Sequence, residues 1–323
     1  VKLARGVSRQ TGQKNLCLAG GVALNCVANG KLLREKLFNR LWLQPAAGDA
    51  GGALGAALVA AHMFKNEARD IVAHGDGMSG AYLGPGYETD DITERLTTCG
   101  AKFQVSTREG MIEQCAQALA SGKALGWHQG RMEFGPRPLG GRSILGDARS
   151  PTMQKLLNLK VKYRESFRPF APAVLREHVS EWFDLDEDSP YMLLVADVLD
   201  RHRIAMTAEQ LELFGIDRLN VPRSSIPAVT HVDYSARIQT VHADTNPAYH
   251  ALISRFHDLT GCPVIVNTSF NVRGEAIVCT PEDAFRCFMG TEIEVLAVGN
   301  CLLLTEDQPA DLKQRYEGKL ELA

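Results

Sequence analysis

Two short polar patterns, Lys162-Tyr163-Arg164 and Ser269-Phe270-Asn271, stand a little over a hundred residues apart. In an extended segment alternate residues share a face. Lys162 and Arg164 would then point into one site, and so would Ser269 and Asn271. A point-charge ammonium, a forked guanidinium and two short hydrogen-bonding groups suit a triphosphate together with a small acyl or carboxylate group. The bland readings are an exposed strand edge for the first pattern and an ordinary polar turn for the second. Lys162 and Arg164 also belong to a basic island, Arg131 to Arg176, with ten Lys/Arg against the three acids Glu133, Asp147 and Glu165, hence +7 in a chain whose formal charge is −3. Its cations are interleaved with Gly, Pro and aromatic residues, which a solvated charge run usually lacks. That spacing points to a pocket for a phosphorylated or nucleotide substrate, with a basic surface patch as the alternative.

The elements that must position these residues are partly visible. Residues 1–65 alternate helix and strand: Asn15–Ala19 and Arg40–Gln44 are strands, each followed by a Gly-rich loop and a helix. Two such units in succession predict an α/β layer with a mostly parallel sheet. Thr89–Thr98 reads as a helix capped by Thr89 or Asp91, and Met111–Ser121 as a second helix. Ala124–His128 is an apolar strand leading into the island. Beyond it, Tyr191–Val198 and Ile238–Val241 are strands, Pro247–Thr260 is a helix ending at Gly261, and Pro263–Asn267 is a buried strand that delivers Ser269 and Asn271. Pro281–Met289 is a helix, and Val295–Val298 and Leu302–Leu304 are the last strands. The charged tail after Glu306 reads as peripheral.

Composition sets the frame. A chain of 323 residues, 45% hydrophobic and 23% charged, is ordinary for a globular protein and suggests two domains. No apolar run reaches the length of a membrane-spanning helix, and no secretory signal is visible. Eight cysteines without a CxxC pair read as reduced thiols in a cytoplasmic protein, not as a zinc site or disulfide framework. Mild overall acidity argues against a dedicated nucleic-acid binder. The opening residues read as the end of a helix, which leads us to expect further sequence upstream.

The loops GGVALN (20–25) and GDAGGALGAA (48–57) both lead into helices. Glycine lets a ligand approach the backbone, and free N–H groups at a helix start attract phosphate, although helix–sheet packing also favours small residues there. Asp49 is an acid at a strand's end, where α/β proteins bind ligands. It could be a metal ligand, a ribose acceptor or an N-cap.

These stretches, with QGRMEFGPRPLGGRSILGDAR, VKYRESFRPFAP and NTSFNVRGEAIVCTPEDA, make the chain resemble the O-carbamoyltransferase family of nodulation and antibiotic-tailoring enzymes over nearly its whole length. The resemblance implies an α/β protein: a partial actin-like ATPase-type layer, then a YrdC-like α/β domain with a twisted mixed sheet. It implies boundaries at 1–75 for the remnant of the first domain, 76–115 for a connection, 116–306 for the YrdC-like domain and 307–323 for a tail. It further implies that the second domain forms carbamoyl-adenylate from carbamoyl phosphate and ATP with Mg²⁺. The first would pass the carbamoyl group to a hydroxyl of a sugar or natural product, aided by iron(II) or another divalent metal. By resemblance, Lys162, Arg164, Ser269 and Asn271 are the adenylate-forming residues, and Arg131, Arg137, Arg142, Arg168 and Arg273 contact phosphate or nucleotide. Gly20, Gly21 and Asn25 form a nucleotide-contacting loop, and Asp49 is a metal ligand. His128 is either a carbamoyl-phosphate contact or a packed, satisfied histidine. The family's HxxxH metal pattern is absent from this chain, which makes the N-terminal half of the same protein an expected partner. The other readings are a threonylcarbamoyl-adenylate synthase and an RNA-binding YrdC-like module.

Overall fold

The computed structural model describes residues 1–69 and 76–313. The end of the expected tail, 314–323, lies outside the described residues. The small N-terminal unit holds α1 (Lys2–Thr11), β1 (Asn15–Leu18), α2 (Cys26–Arg34), β2 (Arg40–Leu43) and α3 (Asp49–Val59). β1 and β2 pair in parallel, Asn15 opposite Arg40, as two strand–loop–helix units require. α3 is built almost wholly of Ala, Gly, Leu and Val, yet buries none of its residues.

The rest folds around one mixed sheet. Its strands are β3 (Gln104–Val105), β4 (Leu125–His128), β5 (Arg142–Asp147), β6 (Ala171–Leu175), β7 (Leu194–Asp197), β8 (Ser235–Val241), β9 (Val264–Ser269), β10 (Val295–Val298) and β11 (Cys301–Leu304), ordered β3-β11-β10-β4-β5-β9-β6-β8-β7. β10–β4 and β6–β8 are parallel, and the other neighbours are antiparallel. α5 (Arg108–Ala120) and α6 (Pro247–Thr260) pack on each other and on the sheet, and α4 (Thr89–Thr98) packs on α7 (Pro281–Met289). α7 starts in a reciprocal cap between Thr280 and Asp283 with Pro281 at its first position, the arrangement that satisfies orphan N–H groups. The N-terminal unit docks through α2 on β7. Asn29 Nδ2 donates to the Ala23 and Leu193 carbonyls at 2.8 and 3.0 Å. Gly30 lies so close to Val195 that a Cβ would sit 2.3 Å from its carbonyl oxygen.

Four expectations change. The basic island contains β5 and β6, two fully buried strands that the charge pattern concealed. The stretch 76–115 is more than a link, since it supplies α4, the edge strand β3 and the start of α5. α4 has Glu88 at its N-cap without a side-chain cap, so neither Thr89 nor Asp91 caps it. Lys162-Tyr163-Arg164 is not extended: it follows a π-turn, Leu157–Val161, and Tyr163 sits at φ 47°. Leu157 and Val161, four apart and both buried, pull that segment into a helical turn.

Candidate functional site

A cavity of about 290 Å³ is lined by Pro136, Arg137, Pro138, Arg164, Arg168, Phe170, Arg237, Thr268 and Ser269, among others. Four guanidiniums and no carboxylate line it. It sits where β9 ends and β6 begins, beside the first half of β8. Along β9, Asn267 and Ser269 share a face, and along β8, Arg237 and Gln239 share one. The inner pair is buried and ties the strands to the loop that carries Arg137. Asn267 Nδ2 donates to Gln239 Oε1 at 2.7 Å and to the Pro138 carbonyl at 3.1 Å, and Gln239 Nε2 donates to the Leu139 carbonyl at 2.8 Å. The loop carrying Arg137 is held from its other side by Glu133, whose Oε1 accepts the Leu139, Gly141 and Arg142 N–H groups.

The cations differ in what they are free to do. Arg237 makes no hydrogen bond or ion pair among the described residues. Burial, and then the charges of Arg137 and Arg164, push its pKa down to about 10. Arg137 donates from one terminal nitrogen to the Leu24 carbonyl of the N-terminal unit at 3.2 Å, while its Nε is buried without a partner. Arg164 donates to Asn158 Oδ1 at 2.6 Å and stacks over Phe170; burial, then repulsion from Arg168, lowers its pKa. Arg168 pairs with Glu165 at 3.1 Å. Among the described residues only Arg168 of the four has an ion-pair partner, Glu165, which lies outside the lining; such an excess of cations suits an anion, and the planar fork of Arg fits phosphate oxygens.

Lys162 meets both halves of the second pattern. Its Nζ donates to the Ser269 carbonyl, to Ser269 Oγ at 3.2 Å, and to the Asn271 carbonyl and Oδ1 at 2.9 and 2.8 Å. Lys162 is 3% exposed. Burial, and to a lesser degree Arg164, push its pKa down, to about 7. Four oxygen acceptors oppose that shift, because only the ammonium has three donors to give.

The structure therefore unites Lys162, Ser269 and Asn271, and gathers Arg137, Arg164, Arg168 and Ser269 around the cavity. Lys162 and Asn271 stand behind that wall and do not point into the cavity beside Arg164. Arg142 is a correction: it is wholly buried and donates to the carbonyls of Pro85, Gln129, Gly130, Gly141 and Cys279. Arg131 is another, spent on the Leu83 and Gly84 carbonyls. Arg273 lies outside the lining, 3.9 Å from Glu165. His128 is packed, its Nε2 donating to the Cys279 carbonyl at 3.1 Å. Asn25 Oδ1 caps α2 by accepting from the Ala28 N–H, and Gly20 at φ 93° leads into a short 3₁₀ turn. Asp49 is the exposed first residue of α3, with Gly48 at the N-cap, so the capping reading of Asp49 is not met. No group of three or more His, Cys, Asp or Glu side chains able to hold a metal occurs among the described residues. Asp49 thus belongs to no such cluster among the described residues. The residue missed in the sequence is Arg237; the signal was an arginine alternating with Gln239 in the strand SARIQTV.

Fold and cavity together define an α/β protein with a cavity lined by four guanidiniums. The chain belongs to the carbamoyltransferase family: the model of the carbamoyltransferase C-terminus matches residues 116–305, and that of the N-terminus matches residues 1–58. The Synechocystis protein sll1178 is 55% identical over 100% of this chain and 53% of its own length. Nodulation protein NolNO of Sinorhizobium fredii is 41% identical over 92% of this chain and 40% of its own length. The 3'-hydroxymethylcephem-O-carbamoyltransferase of Streptomyces clavuligerus is 32% identical over 88% and 48%. The chain thus spans about half the length of the curated relatives it matches.

Proposed function

We propose that the arginine cavity binds carbamoyl phosphate and Mg²⁺–ATP and forms carbamoyl-adenylate, for transfer of the carbamoyl group to a hydroxyl of a small-molecule acceptor. The observation that carries this reading is the convergence of Arg137, Arg164, Arg168 and Arg237, with no lining carboxylate, on a cavity edged by Ser269. Water hydrolyses carbamoyl phosphate to carbamate and inorganic phosphate, releasing a proton to solvent; a carbamate oxygen then attacks the α-phosphorus of ATP as the bond to pyrophosphate breaks. That step needs alignment and charge neutralisation more than covalent help. The arginines supply both, and none must donate or accept a proton.

In the second step the acceptor oxygen attacks the carbamoyl carbon and AMP leaves. A hydroxyl acceptor is supported by the name of the cephem relative, in which a hydroxymethyl oxygen takes the carbamoyl group. Residues 1–75 as part of an actin-like domain, and 116–306 as a YrdC-like domain, fit this division of labour. The reaction draws on cytoplasmic substrates, and no helix among the described residues is long and apolar enough to cross a membrane.

The test is exchange of radiolabelled pyrophosphate into ATP. Exchange should require carbamoyl phosphate, should not be supported by threonine plus bicarbonate, and should fall at least about tenfold in Arg237→Ala. A folded protein without carbamoyl-phosphate-dependent exchange would overturn the adenylation reading.

A further inference from the structure

Every cation in the cavity wall can only donate hydrogen bonds. A carbamoyl group also brings two N–H donors of its own, which need acceptors. The hydrogen bonds behind the wall decide which way Ser269 faces in this respect. Asn271 Nδ2 donates to the Glu275 carbonyl at 2.8 Å, which turns Oδ1 toward Ser269 and Lys162. An amide oxygen only accepts, so Ser269 Oγ must donate its single proton to Asn271 Oδ1, 2.7 Å away. The three protons of the Lys162 ammonium have nearer acceptors in the Ser269 carbonyl and the Asn271 carbonyl and Oδ1, so Lys162 holds Asn271 in place and the hydroxyl's lone pairs stay open. Ser269 Oγ is left with open lone pairs and no proton to offer. Thr268, the other hydroxyl in the lining, forms no side-chain hydrogen bond among the described residues that would impose a polarity.

We propose that Lys162 and Asn271 are positioning residues that lock Ser269 as a hydrogen-bond acceptor, and that this acceptor selects a donor substrate carrying an N–H beside its acyl carbon. The inference rests on the carbamoyl-phosphate reading and adds its selectivity: the arginines recognise the phosphate, and Ser269 recognises the amide end. Acetyl phosphate has the same shape with a methyl in place of the amino group. It satisfies the arginines and leaves Ser269 without a partner, the situation in which a built polar site rejects an analogue.

The experiment is calorimetric titration of the folded protein with carbamoyl phosphate, acetyl phosphate and inorganic phosphate. The unaltered protein should bind carbamoyl phosphate about tenfold more tightly than acetyl phosphate, the worth of one such hydrogen bond. Ser269→Ala and Asn271→Ala should bring that ratio to within about twofold while inorganic phosphate still binds. Asn271→Asp keeps an acceptor opposite Ser269 and should keep the preference. A merely structural role for the triad would lower both affinities together and leave the ratio unmoved. No preference in the unaltered protein, or an undiminished preference in folded Ser269→Ala, overturns the proposal. Failure of both acyl phosphates to bind a protein that binds inorganic phosphate would instead strike down the carbamoyl-phosphate reading, and this proposal with it.

Discussion

Arg142 and Arg237 are both shielded arginines on buried strands, and they face opposite fates. Arg142 gives its donors to five backbone carbonyls. The Arg237 side chain gives its donors to no group among the described residues. Arg142→Ala should cost about 3 kcal/mol or more in denaturant unfolding, because several shielded carbonyls lose their partner at once. Arg142→Lys should not restore it, since one ammonium cannot span five acceptors. Arg237→Ala should leave stability within about 1 kcal/mol, relieving repulsion from Arg137 and Arg164, while phosphate affinity by calorimetry falls about tenfold. The sequence marks both simply as arginines near Gly, Pro or a strand. The partners of Arg142 come from residues 85, 129–130, 141 and 279, so only the folded chain separates an arginine bonded to the backbone from one that faces the cavity.

At the scale of elements, the strands flanking the island and the helices at 89–98, 247–260 and 281–289 were legible from periodicity and the Gly and Pro residues beside them, although the cap expected of the first is absent. β5 and β6 were not. A central strand buried on both faces has no alternation to read, and the arginine that opens β5 imitates a surface position. The Lys162 segment failed differently. The extended reading was locally plausible, but burial of Leu157 and Val161 imposed a helical turn, and tertiary packing overrode the spacing argument. Docking of α2 on β7 was also invisible, since Asn29 and Gly30 carry no signal of a partner some 160 residues away. Gly30→Ala tests that contact. Its Cβ would collide with the Val195 backbone, so α2 must shift, at a cost of about 1–3 kcal/mol. Hydrogen exchange at residues 193–195 should accelerate if the docking is as described, and unchanged protection there would contradict it.

At the scale of the whole molecule, acid is the informative stress. Burial, and then the charge of Arg142, depress the pKa of His128 to about 3, with Asp283 and the Cys279 carbonyl opposing weakly. The unfolded chain binds that proton near pH 6.5 and the folded chain does not. The stabilisation is therefore complete above pH 6.5 and is lost as pH falls toward 3. Between pH 7 and pH 5, His128 should account for about 2 kcal/mol of lost stability. Denaturant midpoints at those two pH values should differ less in His128→Gln, which keeps a donor for Cys279. By itself the sequence determined the chemistry of the parts: an island of arginines, a Lys and a Ser-x-Asn pattern suited to phosphate and a small acyl group, and an α/β frame with the family motifs. Only the tertiary structure decided which cations face the cavity, that Arg237 joins them, and that Lys162 and Asn271 meet at Ser269. Residue type states what a group can donate or accept. Which partner consumes that capacity depends on contacts between segments far apart in the chain, and spacing along the chain does not encode them.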